Sequence, residues 1–189
     1  IQLLVKDVSG NQNSSSVTIS VMDTISPNAS AMAGNVYLDA SGTASVSAID
    51  FNNASSDNCG LSSYSLSLSN FNCSHVGVNN LQFSAFDASG NSSTVNVVLT
   101  VIDTISPSTV AKNVSLSLDA SGSATLNPSD INDGSADACG IASLSLSKSS
   151  FDCSNIGANT VILTVTDNGG NLSSASVTVT ISDNIVPVA

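Results

Sequence analysis

Glutamate, arginine and tryptophan are absent from this 189-residue chain, and histidine occurs once. Its basic side chains are Lys6, Lys112 and Lys148 alone. A surface so poor in cations cannot make the phosphate contacts that drive nucleic-acid binding, so nucleic acid is excluded as a partner. Aromatic residues make up only 4% of the chain, too few to build a stacking platform for sugars or bases. No glycine-rich phosphate loop is present. No apolar run approaches the eighteen or so residues of a membrane helix and no targeting peptide is visible, which argues against membrane insertion. A hydrolytic triad needs a nucleophile, a base and an orienting carboxylate, and His75 is the only imidazole available.

What is present is aspartate, fourteen acidic residues in all, giving a formal charge of −11 with only 9% of residues charged. Most of the surface must therefore be neutral Ser, Thr and Asn. Hydrophobic residues make up 41%, enough for a packed interior of Val, Leu, Ile and Ala.

The strongest signal is a tandem repeat. Asp23-Thr24-Ile25-Ser26-Pro27 returns as Asp103-Thr104-Ile105-Ser106-Pro107 and degenerates to Asp183-Asn184-Ile185-Val186-Pro187, a period of 80 residues (103−23 and 183−103). Leu38-Asp39-Ala40-Ser41-Gly42 against Leu118-Asp119-Ala120-Ser121-Gly122, Cys59-Gly60 against Cys139-Gly140, and Phe71-x-Cys73 against Phe151-x-Cys153 keep that offset. Asp7-Val8-Ser9-Gly10-Asn11 matches Asp87-Ala88-Ser89-Gly90-Asn91, so residue 1 is expected to lie inside a repeat. The expected division is 1–26 as the C-terminal strands of a truncated unit, 27–106 and 107–186 as complete units, and 187–189 as the start of another. His75 becomes Asn155 one repeat later, so no repeat-wide triad exists and catalysis is not expected.

Alternation of apolar and polar residues is the dominant pattern, as in Leu81-Gln82-Phe83-Ser84-Ala85 and Val95 to Val101, and has the period of a half-buried strand. These two strands flank Asp87-Ala88-Ser89-Gly90-Asn91, a hairpin turn signal. The inward set recurs as Val161, Leu163, Val165 with Ala175, Val177, Val179, Ile181, and as Ile1, Leu3, Val5 with Val17, Ile19, Val21. Strands are also expected over 35–38, 43–48 and 61–69. The fold class is all-β: tandem immunoglobulin-like β-sandwich repeats with an 80-residue period. Strands of seven to nine residues would give roughly 25 to 30 Å per unit.

Two cysteines per complete repeat, Cys59 and Cys73, then Cys139 and Cys153, fit disulfides in an oxidising compartment. Closure of Cys59 on Cys73 would make a fifteen-residue loop, worth roughly 3 kcal/mol on the chain-entropy model. It would also require the chain to fold back near Ser69 and Asn70. The pair lacks the further ligands of a zinc site.

Strand parity on a simple up-and-down traverse places Asp57 and Asp87 at the junction carrying Asp23. Asp137 and Asp167 fall at the junction carrying Asp103, with Asp39 facing it. Three such carboxylates would supply hard oxygen ligands for calcium and would repel one another without it. The competing reading is that Asp simply serves turns, and no contiguous calcium-loop motif is present.

Asp137-Ala138-Cys139-Gly140, the stretch Phe151 to Thr160, the turn Thr166-Asp167-Asn168-Gly169-Gly170-Asn171 and the Asp-Thr-Ile-Ser-Pro linkers resemble the hyalin-repeat-like and immunoglobulin-like modules of giant Bacteroidota surface proteins. The resemblance spans essentially the whole chain. It departs from an exact internal copy where Asp57-Asn58 becomes Asp137-Ala138. It implies an extracellular, cell-surface module, commonly exported by type IX secretion and found in gliding adhesins, prey-capture filaments or stalks of secreted enzymes. Asp-Thr-aliphatic triplets at Thr24 and Thr104 also resemble the O-glycosylation acceptor of that phylum, although a short polar spacer before Pro27 and Pro107 is expected there anyway.

Lysine-poor sheet edges leave lateral strand association open, unless loops or glycans cover them. The expected function is a structural and adhesive repeat of a long extracellular fibre, associating with other copies of the chain in a filament or bundle. Surface glycans or proteins of another cell are further candidate targets. The alternative is a spacer or binding module carried by a secreted enzyme.

Overall fold

A computed structural model describes residues 1–186; Pro187 and the expected start of another repeat at 187–189 lie outside the described residues. Two tandem immunoglobulin-like β-sandwich domains follow an N-terminal hairpin. The hairpin pairs β1 (Gln2–Lys6) with β2 (Gln12–Ser16) in antiparallel register.

The first sandwich contains β3 (Gly34–Tyr37), β4 (Thr43–Ser45), β5 (Leu61–Leu66), β6 (Asn70–Asn72), β7 (Gly77–Asp87) and β8 (Ser92–Ile102). Its main sheet has the order β3-β8-β7-β5, with β3 parallel to β8 and the other pairs antiparallel. The facing layer is the short β4-β6 ladder, extended by bridges from Asn28 to Ser56 and from Ala31 to Asn52.

The second sandwich repeats the plan with β9 (Val114–Ser117), β10 (Ser123–Thr125), β11 (Ile141–Leu146), β12 (Ser150–Asp152), β13 (Gly157–Asp167) and β14 (Leu172–Ser182), in the sheet order β11-β13-β14-β9 with β10 paired to β12. A single helical turn, α1 (Pro128–Ile131), stands where the first unit has a 3-10 turn over Ala48–Phe51. Pro128 suits that helix start because its missing N–H would have had no partner there.

Alternation explains the long hairpin. Leu81, Phe83 and Ala85 of β7 and Val97, Leu99 and Val101 of β8 are buried, while Gln82 and Asn96 between them face solvent. Phe51, Phe71, Val36 and Leu38 close the same core from the other elements. Leu163, Val165, Val177, Val179 and Ile181, with Leu118, Leu126, Ile131 and Phe151, form the second. At eleven residues each, β7 and β8 exceed the expected seven to nine, so the hairpin is about 35 Å long.

Two expectations need correction. The strand expected over 61–69 stops at Leu66 because the chain crosses to the facing layer, where residues 70–72 continue toward the same end as β6, paired with β4. The hairpin residues Ile1, Leu3, Val5, Val17 and Ile19 have the right parity for a core but are all more than half exposed, because no facing layer covers that ribbon among the described residues.

Candidate functional site

Functional groups concentrate where successive units meet. The traverse is set by pairing: β8 runs toward the linker at 103–107, β7 returns, and β5 and β3 run with β8. Asp57, just before β5, and Asp87, at the end of β7, therefore share the near end of the first sandwich with the linker residue Asp23. Carboxylate oxygens of Asp23, Asp57 and Asp87 all lie within 4.8 Å of one another.

Each aspartate is held by a local turn. Oδ1 of Asp23 accepts from the Ile25 N–H, Oδ1 of Asp57 from Cys59, and Oδ1 of Asp87 from Ser89 and Asn91. The second oxygens of Asp23 and Asp57 are buried without a hydrogen-bond partner, a costly arrangement for a charged group unless a cation satisfies it. Asn91 ties the hairpin tip to the linker, its Nδ2 donating to the Asp23 carbonyl (3.1 Å) and to Asp87 Oδ2 (2.7 Å). Burial works to raise the Asp87 carboxyl, but hydrogen bonds from the Asn91 side chain and backbone outweigh it and hold the group below the usual range.

The second junction is built alike. Asp103 is only 6% exposed, its Oδ1 accepts from Ile105 and its Oδ2 has no partner. It stands within the same 4.8 Å radius of Asp137 and Cys139. Asp167, buried, belongs to this junction through Asn171, which donates to its Oδ2 and to the Asp103 carbonyl. Its carboxylate is outside the close group, which differs from the expected trio of Asp103, Asp137 and Asp167. Cys139 cannot replace it as a thiolate ligand, because its sulfur is already bonded.

That bond is the main finding that differs from the sequence reading. The expected closure of Cys59 on Cys73 is not formed: Cys73 is joined to Cys139 of the next unit, and Cys59 and Cys153 are exposed free thiols. The reason is topological. Cys59 precedes β5 at the near end of the sandwich, whereas Cys73 follows β6 at the far end, with β5 spanning the distance between them. Cys73 meets Cys139 at a Cα separation of 5.1 Å, within the ordinary range for a disulfide. Cys139 also packs on the edge of the first core.

Gly42 makes this approach possible. Its φ is +73°, and a Cβ there would lie 2.6 Å from the Cys73 sulfur, 3.2 Å from Ala138 Cβ and 3.4 Å from the Cys139 sulfur. The turn carrying Gly42 is closed by Asp39, whose Oδ1 accepts from Ser41 and Thr43. Asp39 thus faces the second junction, as strand parity implied. At the other end, the Cys59 thiol is pushed up, first by its closeness to the Asp23 carboxylate and then by the negative charges of Asp57 and Asp87.

The remaining candidates have plain structural roles. His75 Nδ1 accepts from the Asn72 N–H, and Asn155 Oδ1 accepts from Asp152 in the same position, so the two side chains do the same capping job. Thr24 and Thr104 are both exposed on linkers anchored by the buried Pro27 and Pro107. Lys112 pairs with Asp133, and Lys148 lies over the Phe151 ring. No catalytic cluster is present among the described residues, and no helix there is long and apolar enough to cross a membrane.

No family model matches the sequence, and no curated protein does. Solved structures offer remote likenesses. Protocadherin Gamma B7 extracellular cadherin domains 1-4 share 14% identity at a TM-score of 0.35, over 84% of this chain and 51% of that one. Drosophila N-cadherin EC1-4 gives 12% and 0.41, over 84% and 50%. The fibronectin(III)-like modules of Clostridium thermocellum CbhA give 11% and 0.31, over 84% and 94%. The chain thus spans about half the length of these two cadherin structures. At such scores no role is transferred, and the fold assignment rests on the strand pairing itself.

Proposed function

We propose that this chain is a mechanical repeat segment of an extracellular surface fibre, non-enzymatic, in which sandwiches are coupled rigidly end to end. The Cys73–Cys139 bond carries this reading. Two successive units are joined twice, by the polypeptide linker and by a covalent staple, which suppresses bending and twisting at the junction. An oxidised structural bond also favours a location outside the reducing cytosol.

The acidic junctions support the same role. Asp23, Asp57 and Asp103 each carry a buried carboxylate oxygen without a partner, with Asp87 beside the first two and Asp137 beside the third, the donor chemistry that suits calcium. A bound divalent ion would neutralise the repulsion and tie linker to sandwich. Thr24 and Thr104, exposed on the linkers, are in reach of glycosylation, and the uncharged edge strands β5 and β11 suit lateral association with other copies in a filament.

Small-angle scattering of the oxidised chain tests the mechanical reading: a stiff elongated particle is expected, becoming more flexible on reduction, and an unchanged profile after reduction would refute it. Millimolar calcium should raise the melting temperature, and Asp103→Asn should remove the part of that rise due to the second junction. No shift in the parent chain would eliminate the calcium assignment.

A further inference from the structure

We propose that Cys59 and Cys153 are the two open halves of the same inter-repeat staple, each made to close a disulfide with the opposite cysteine of an adjoining repeat of this sequence. Cys153 is the counterpart of Cys73 and Cys59 of Cys139, each displaced by 80 residues (153−73 and 139−59). The bonded pair therefore shows what each free thiol is shaped to meet.

The surroundings match as well as the numbering. The Cys73 sulfur lies against Gly42, 3.6 Å from its carbonyl, and the Cys153 sulfur lies against Gly122, 3.9 Å from its carbonyl. Gly122 has φ +76°, close to the +73° of Gly42, and a Cβ there would come within 3.0 Å of the Cys153 sulfur. Both turns are closed by an aspartate, Asp39 or Asp119, accepting from the same backbone positions. At the other half, Asp57 and Asp137 hold the Cys59 and Cys139 amides identically, at 2.8 and 2.7 Å. Burial completes the comparison: Cys73 and Cys139 are half-buried under the junction they form, while Cys59 and Cys153 are exposed.

The two halves are unlike and sit at opposite ends of each sandwich, so pairing has a direction. A Cys153-type sulfur meets a Cys59-type sulfur, never its own kind. Each bond needs a two-electron oxidant, here a small disulfide such as glutathione disulfide. Its sulfur–sulfur bond breaks as the new one forms, and the two thiol hydrogens leave on two molecules of reduced glutathione. Repeated along an array, the staple would leave only the stretch from Cys139 to Cys153 of each unit under axial load.

The inference extends the reading of a stapled fibre segment, but it fails separately, since the scattering test above concerns only the bond already formed. The test lengthens the full chain by one further copy of residues 107–186, in which Ile141→Val marks the added copy. The protein is refolded in a glutathione redox buffer, free thiols are alkylated and peptides are mapped by mass spectrometry. Formation of Cys73–Cys139 serves as the folding control. The expected product links Cys153 to the marked counterpart of Cys139. Alkylated Cys153, or Cys153 bonded to Cys139 of its own unit, overturns the proposal. If separate copies supply the partner, the unlengthened chain forms a ladder of oxidised multimers. Cys59→Ser and Cys153→Ser each then give monomers alone and a dimer when mixed. Multimers that persist in either single variant overturn the directed pairing.

Discussion

Pulling the chain from its two ends provides a direct measure of the junction, because the staple removes a defined length of polypeptide from the loaded path. Cys73 and Cys139 are 66 residues apart in sequence, and an extended chain spans about 3.4 Å per residue, so the bond hides about 220 Å of contour. Closure of each cysteine pair within its own unit would hide only about 95 Å. The two arrangements are well separated by single-molecule force spectroscopy. The fully unfolded oxidised chain should be shorter than the reduced one by about 220 Å, Cys73→Ser should show the longer contour without reductant, and Cys59→Ser should leave the oxidised contour unchanged. Equal contour lengths before and after reduction would refute the inter-unit bond, and a gain near about 95 Å would restore pairing within the unit. The same bond closes a loop large enough to restrict the unfolded chain by about 4 kcal/mol on the chain-entropy model.

Other consequences follow from particular side chains. Gly42→Ala should lower the fraction of closed Cys73–Cys139 in a redox buffer, since its Cβ would displace the Cys73 sulfur and a left-handed backbone costs a non-glycine residue about 1 kcal/mol or more; Gly60→Ala, with positive φ but open space around it, should leave the bond intact, and equal effects would refute the packing argument. Phe83→Ala removes a fully buried ring stacked 5.6 Å from Tyr64 and should cost about 3 to 5 kcal/mol in denaturant unfolding; a loss under about 1 kcal/mol would show that the core is not closed there. Asp39 and Asp119 are held below the usual carboxylate range by the Ser41 and Ser121 hydroxyls first and by backbone N–H groups second. Their folded-state values are depressed, so their stabilisation is complete above the unfolded value near about pH 4 and is lost as pH falls through the folded one. Melting temperature should therefore drop below about pH 4, less steeply in Asp39→Asn/Asp119→Asn, and a profile identical to the parent would exclude these turns as the cause.

The sequence by itself determined the repeat, the strand character and the gathering of Asp23, Asp57 and Asp87, because alternation and turn chemistry are local and the number of traverses decides at which end a turn falls. That Asn155 stands in the place of His75 was legible too, but the turn-capping job the two share was not, because it depends on the backbone of the Asn72 and Asp152 turns. Only the tertiary structure decided the partner of Cys73. That choice depends on which sulfurs share one end of a sandwich and on how closely the Gly42 turn of one unit approaches the Asp137-to-Cys139 turn of the next. Sequence proximity favours the fifteen-residue closure, whereas the length of β5 forbids it. The same distinction separates positions that merely fit the pattern from positions that are buried: Leu3 and Leu163 share a parity, yet Leu163 is fully buried and Leu3 is 65% exposed. Parity fixes the face of a strand, but burial requires a second layer to cover it.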